Sequence, residues 1–151
     1  MRTSPEEWAR KLIVVGNVKG PLPDRVTVRT GLSEQDLAEL LCSAEVACVP
    51  SLYEGFALPA IEAMACGTPL VVSDGGALPE VVGDCGVVVP AGNSSALAHA
   101  LRTLLNDHQL RRELGDRGVI RTAGYTWHAT AEATAQAYRL LLDDQRNGVT
   151  C

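Results

Sequence analysis

Two glutamates separated by seven residues frame the part of this 151-residue sequence that is best suited to chemistry. Glu54 lies in a loop that follows a short apolar run, and Glu62 lies in the first turn of a predicted helix that begins at Pro59. The free N–H groups and the positive dipole end of a helix start suit a diphosphate. A carboxylate at Glu62 can accept hydrogen bonds from two vicinal ribose hydroxyls. A carboxylate at Glu54 can hold a sugar hydroxyl and stabilise positive charge at an anomeric carbon.

The residues between the two glutamates favour close contact with such a ligand. Gly55 lets the backbone approach closely, and the amides that follow it can point at sugar hydroxyls or phosphate oxygens. A second glycine pair, Gly75-Gly76, predicts another close-approach loop on the same edge. Taken alone, Glu62 has a simpler interpretation, because the helix dipole favours an acidic residue there by about 0.3–1 kcal/mol. The combination of loop, glycine, proline and two carboxylates is a stronger signal than either glutamate.

Short apolar runs alternate with helical patterns along most of the chain. β-branched runs, four of which end in Gly, Pro or Ser, predict five buried strands, over 11–16, 25–28, 44–50, 68–73 and 86–90. Helical patterns lie between them and continue after residue 92 as three further helices; they cover 33–44, 59–67, 77–83, 94–107, 107–123 and 126–144. Ser33 with Asp36, and Asn93 with the two serines after it, predict helix caps.

This alternation predicts an α/β fold with a Rossmann-like, doubly wound parallel sheet and a tail of C-terminal helices. We expect one domain over residues 1–151, with ligands bound beyond the carboxyl ends of the strands. The link after Asn17 is Pro-rich and too short for the usual crossover of about a dozen residues. Either this link is extended, or part of the architecture lies outside the chain.

Composition excludes several function classes. The net charge of −5 and the lack of Lys/Arg runs argue against nucleic-acid binding and against an anionic membrane surface. No apolar run approaches the ~20 residues that span a bilayer, and the N-terminus does not read as a targeting segment. Three dispersed histidines predict no metal site. Scattered cysteines without a C-x-x-C motif predict reduced thiols and a cytoplasmic location; they are Cys42, Cys48, Cys66, Cys85 and Cys151.

The central segment resembles a known family. The stretch EGFALPAIEAMACGTPLVVSDGGALPEVV resembles the donor-site signature of family 4 retaining glycosyltransferases of the GT-B fold. Flanking segments are similar too, namely LIVVGN, TGLSEQDLAELLCSAEVACVPS, GVVVPAGNSSALAHALRTLLND and YTWHATA. The resemblance covers residues 11–142 and is most specific in its middle.

The resemblance implies transfer of a hexosyl group from a UDP- or GDP-linked sugar to an acceptor, with retention of configuration and without a required metal. Glu54 matches the first glutamate of the family's Glu-x7-Glu motif, which handles the donor sugar and takes the catalytic position. Glu62 matches the second, which holds the ribose. The other residues that match donor-binding positions of the family are Thr30, Gly31, Leu32, Ser51, Gly55, Phe56, Ala57 and Leu58.

The chain also departs from the family pattern. In the family, a strand–helix unit with an Arg and a Lys that neutralise the diphosphate precedes the segment that starts near Trp8, and an N-terminal acceptor domain precedes that unit; we expect these 151 residues to contain neither. We therefore expect a partial donor-binding domain that is inactive alone. Because the missing strand is central in the family's sheet, we also expect a defective sheet with an open edge that allows self-association. The full-length enzyme is expected to be cytoplasmic or peripheral to a membrane.

Two other functions stay open at this point. The first alternative is a non-catalytic nucleotide-sugar-binding module derived from a truncated enzyme. The second is a GT-B epimerase or phosphorylase, which fits the Glu-Gly-Phe-x-Leu-Pro context of residues 54–59 less well.

Overall fold

The computed structural model describes residues 10–146, which divide after Leu37 into two compact units. The expectations for residues 1–9, and for the thiol of Cys151, lie outside the described residues. The described elements are α-helices and parallel strands in alternation, as the sequence predicts.

The first unit contains a two-stranded parallel sheet. Strand β1 (Leu12–Val15) pairs with β2 (Val26–Arg29), with Leu12 opposite Val26. The link over residues 16–25 contains no helix. The prediction that β1 is buried is wrong, because Leu12 is 56% exposed and Val15 is 50% exposed. A parallel sheet is buried when helices cover both of its faces, and two short strands supply too little apolar surface for that.

Helix α1 (Glu34–Ser43) begins at the predicted cap. The Ser33 hydroxyl accepts a hydrogen bond from the Asp36 backbone N–H at 3.1 Å. The Asp36 carboxylate in turn accepts from the backbone N–H of Ser33 at 3.4 Å and from its hydroxyl at 2.6 Å. This reciprocal arrangement is a capping box with Asp in place of Glu, and it satisfies N–H groups that the helix start leaves free.

The second unit is built on a three-stranded parallel sheet with the order β3-β4-β5. Its strands are β3 (Ala47–Val49), β4 (Leu70–Ser73) and β5 (Gly86–Val89). All four residues of the central strand β4 are buried, as expected for a parallel strand covered on both faces. The helices that follow in sequence are α2 (Leu58–Ala65), α3 (Leu78–Val82), α4 (Ser94–Asn106), α5 (His108–Thr122) and α6 (Trp127–Arg146).

Two apolar clusters lie on the two faces of this sheet. Alternate residues of β4 point to opposite sides, so that Leu70 and Val72 join one cluster and Val71 joins the other. The first cluster is completed by residues of β3, α2 and α3, and the second by residues of β5, α4 and α5. Helices on both faces of a parallel sheet define the doubly wound class, so the predicted Rossmann-like α/β fold is confirmed.

The last helix differs from the others in its surroundings. The large apolar residues of α6 are exposed, with Trp127 at 88% and Tyr138 at 65% exposure. None of the helices described between residues 10 and 146 combines the length and apolar character needed to cross a membrane.

Candidate functional site

The loop that leaves β3 holds the first of the two glutamates. Glu54 is half-buried, and its carboxylate accepts a hydrogen bond from the Ser51 hydroxyl at 2.7 Å. The Ser51 carbonyl in turn accepts a hydrogen bond from the hydroxyl of Ser73 at the end of β4. Two adjacent strand ends therefore fix the position of one carboxylate at the carboxyl edge of the sheet, where ligands bind in open α/β folds.

The glycine pair after β4 packs against this loop. A Cβ on Gly75 would lie 2.4 Å from the Leu52 carbonyl oxygen, and a Cβ on Gly76 would lie 2.3 Å from that of Glu54. The Ala77 N–H donates to the same Glu54 oxygen at 2.8 Å. The predicted close approach is thus present, and it is an approach to the loop backbone. Only glycine permits it, because any side chain would collide with a carbonyl group.

The start of α2 differs from the prediction by one residue. Ala57 is the N-cap, and it adopts the left-handed conformation at φ 61° while 1% exposed. Helix α2 consequently begins at Leu58, and Pro59 is its second residue. Glu62 therefore lies in the second turn of α2, and its placement in the first turn is wrong. A non-glycine residue at positive φ is uncommon and strained, and such residues cluster at functional sites.

Backbone donors are open at this helix start. Among the hydrogen bonds of the described residues, none is donated by the backbone N–H of Gly55, Phe56 or Leu58. All three residues are exposed, and the Phe56 side chain is 66% exposed. Pro59 has no N–H group, so the backbone N–H donors without a partner belong to the loop and to Leu58, the first helical residue. These N–H groups lie within four residues of Glu54 along the chain.

The second glutamate lies further along the same helix. Glu62 is half-buried, and its charge acts on the thiol of Cys66, one turn later on α2. Glu54 and Glu62 thus lie at the two ends of a single loop–helix segment. The roles expected for these carboxylates, and for Ser51 and residues 55–58, stay predictions.

Three of the predicted donor-binding residues lie in the first unit. Thr30, Gly31 and Leu32 connect β2 to α1, and Gly31 has a φ of 64°, which glycine adopts without strain. Thr30 and Gly31 are exposed, whereas Leu32 is half-buried. Their predicted contact with a nucleobase stays a prediction.

A small cavity of about 160 Å³ opens at the same edge of the second sheet. It lies between the ends of the three strands and the start of α4; its lining residues are Pro50, Ser73, Val89, Pro90, Gly92, Asn93, Ser94 and Leu97. Asn93 caps α4 as predicted, since its side chain accepts from the Ala96 N–H at 3.0 Å. The contribution of Ser73 was missed from the sequence. Its position as the last residue of a buried strand was the available signal.

The Glycosyl transferases group 1 family model matches residues 11–120 of this chain. Among curated proteins, the MMP alpha-(1->4)-mannosyltransferase of Mycolicibacterium hassiacum is 48% identical over 121 residues, which cover 78% of this chain and 29% of that protein. The O-antigen chain mannosyltransferase B of Escherichia coli is 38% identical over 108 residues, covering 72% of this chain and 28% of that protein. The chain therefore spans under a third of the length of these relatives.

Solved structures agree with the family match. The sucrose-phosphate synthase of Thermosynechococcus elongatus aligns with a TM-score of 0.77 and 34% identity, covering 88% of this chain and 39% of that one. The C-terminal domain of a glycosyl transferase group 1 family protein, LpcC, from Francisella tularensis aligns with a TM-score of 0.61 and 26% identity. That alignment covers 68% of this chain and 55% of the LpcC chain.

Proposed function

This chain belongs to the Glycosyl transferases group 1 family, and from that premise we propose that it forms the donor-binding part of a retaining glycosyltransferase. The donor is a nucleotide diphosphate sugar, and the reaction moves its hexosyl group to an acceptor. The observation that carries this proposal is that the N–H groups of Gly55, Phe56 and Leu58 donate no hydrogen bond among the described residues, directly after the loop in which Ser51 holds the Glu54 carboxylate. N–H groups at a helix start bind phosphate oxygens, and a fixed carboxylate binds sugar hydroxyls.

We assign the two glutamates different roles in this reaction. Ser51 holds the Glu54 carboxylate in one place, where it stabilises the positive charge that develops at the anomeric carbon as the nucleotide diphosphate leaves. The acceptor then attacks from the face that the diphosphate vacates, so the configuration is retained. Glu62 accepts hydrogen bonds from the ribose hydroxyls, and Thr30, Gly31 and Leu32 contact the base.

The proposal also covers the donor sugar, the location of the protein and its self-association. Two of the curated relatives are mannosyltransferases, so a mannosyl donor is the first to test, linked to GDP or UDP. We place the protein in family 4, acting in the cytoplasm or at a membrane surface without a required metal. Self-association through the open edge of the β1-β2 sheet is part of the proposal, and the single-domain organisation over residues 1–151 stays a prediction.

Calorimetric titration with UDP-, GDP- and ADP-sugars tests donor binding. We expect one of these donors to bind, and we expect Glu62→Ala to weaken it by about tenfold or more, because hydrogen bonds to a charged group contribute about 1.5–3 kcal/mol. Glu80→Ala is the matched control, since Glu80 is an exposed carboxylate in the first turn of α3. If no nucleotide sugar binds at millimolar concentration, or if both variants bind equally, the proposal is wrong.

Transfer and donor hydrolysis are measured on the same proteins. We expect little or no turnover by these 151 residues alone, because transfer also requires an acceptor site. Robust transfer would overturn this expectation. It would also remove the second candidate function, a non-catalytic nucleotide-sugar-binding module.

A further inference from the structure

The end of α2 packs against the last turn of α1. The Thr68 hydroxyl, just after α2, donates to the Leu41 carbonyl oxygen at 2.7 Å. The Cys66 thiol, on the C-cap residue of α2, lies 3.8 Å from the carbonyl oxygen of Ala38. Cys42 follows Ala38 by one helical turn, on the same face of α1. This packing makes the Cys42 side chain a neighbour of the Cys66 thiol, close enough to act on the pKa of that thiol.

The two thiols differ in accessibility. Cys42 is exposed and Cys66 is half-buried. Burial, and then the Cys42 side chain beside it, raises the pKa of the Cys66 thiol to about 11, so Cys66 stays protonated at neutral pH. A dissolved reagent therefore reacts with the exposed Cys42 first, and Cys66 is the neighbouring second thiol.

We propose that Cys42 and Cys66 form a reversible disulfide that crosslinks α1 to the end of α2. The oxidant is a small-molecule disulfide of the glutathione type. The Cys42 thiolate attacks one of its sulfurs, the S–S bond breaks, and one small thiol leaves. The Cys66 thiol then loses its proton to solvent and its sulfur attacks Cys42, which releases the second small thiol. Two protein thiols are oxidised and one small disulfide is reduced to two thiols, so the exchange balances.

The pair lies at the C-terminal end of α2, one turn beyond Glu62, and neither cysteine is a predicted donor-binding residue. Cys66 ends α2 at the opposite terminus from Ala57 and the open N–H groups. The inference therefore stands whether or not the chain binds a nucleotide sugar, and its test needs no donor.

The test treats the full chain with glutathione disulfide at low protein concentration, alkylates the remaining thiols in denaturant and counts them. We expect the loss of two of the five thiols, restored by dithiothreitol. A protease that cleaves after glutamate separates Cys42, in peptide 40–45, from Cys48, in 46–54, and Cys66, in 63–80. Mass spectrometry should find peptides 40–45 and 63–80 joined, with the mass of the free pair less two hydrogens.

Single substitutions assign the crosslink. Cys42→Ser, at an exposed helical position, should abolish the joined peptide, and Cys66→Ala should do the same. Cys48→Ser is the matched control, because Cys48 is half-buried, as Cys66 is, and burial raises the pKa of its thiol to about 11 as well; this variant should retain the joined peptide. Stable glutathione adducts on Cys42 without a joined peptide, a crosslink to Cys48, or a crosslink only between two chains would each overturn the proposal.

Discussion

At the scale of single residues, hydroxyl groups control the position of the Glu54 carboxylate. Ser73 donates to the Ser51 carbonyl, and Ser51 donates through its own hydroxyl to Glu54. A carboxylate on a loop samples several rotamers unless something holds it, and a hydrogen bond to a charged group is stronger than one between neutral groups. The two serines therefore prepare one acceptor geometry before any ligand arrives, which lowers the ordering cost of binding.

Replacing Ser51 tests this positioning. Ser51→Ala should lower the free energy of unfolding by about 1–2 kcal/mol, because the half-buried Glu54 carboxylate loses its hydroxyl donor. Chemical denaturation followed by circular dichroism measures the change. Ser95→Ala, at an exposed position in the first turn of α4, is the control and should stay within about 0.5 kcal/mol of the unmodified chain. Equal effects of the two substitutions would show that the hydroxyl does not hold Glu54.

At the scale of elements, glycines on α5 set the distance to α2. A Cβ on Gly115 would lie 2.3 Å from the Gly67 carbonyl oxygen, and a Cβ on Gly118 would lie 3.2 Å from the Cα of Met64. Both glycines are buried, and they lie three residues apart on one face of α5. Helix α5 thus lies directly against the helix that carries Glu62.

Adding one methyl group at this contact should destabilise the fold. A glycine-to-alanine change inside a helix normally gains about 1 kcal/mol from helix propensity. At Gly115 the new Cβ meets a backbone carbonyl that cannot move freely, so we expect Gly115→Ala to lose about 1–3 kcal/mol overall. Gly124→Ala is the control, because nothing lies within 4 Å of its Cβ position. Thermal unfolding of both variants measures the difference, and a stabilised Gly115→Ala would contradict the tight contact.

Local signals explain which elements could be predicted. The caps at Ser33 and Asn93 depend on residues three positions apart, so the sequence contains all the information about them. The start of α2 was placed one residue late because Ala57 adopts a left-handed conformation that its residue type does not indicate. Cys42 and Cys66 are neighbours although they are distant in sequence. The exposure of β1 depends on how many other elements cover its sheet. No local pattern contains that information.

At the scale of the whole molecule, β1 is an edge strand with one strand neighbour among the described residues. The N–H group of Leu12 donates to the carbonyl oxygen of Arg25, just before β2, and that of Gly16 donates to Arg29, the last residue of β2. Because backbone N–H groups alternate sides along a strand, the N–H groups of Ile13 and Val15 point away from β2. The side chains of β1 are also largely exposed. Open backbone donors together with exposed apolar residues favour pairing with another chain.

Self-association through this edge gives the last prediction. Sedimentation velocity over a concentration series should show dimers, and Val15→Lys should weaken the dimer about tenfold, because a charged side chain on an edge strand opposes pairing. Val18→Lys is the matched control, since Val18 is 42% exposed but lies in the link after β1. Monomers at every concentration would refute the association itself. Dimers that respond equally to both substitutions, or to neither, would show that association uses another surface.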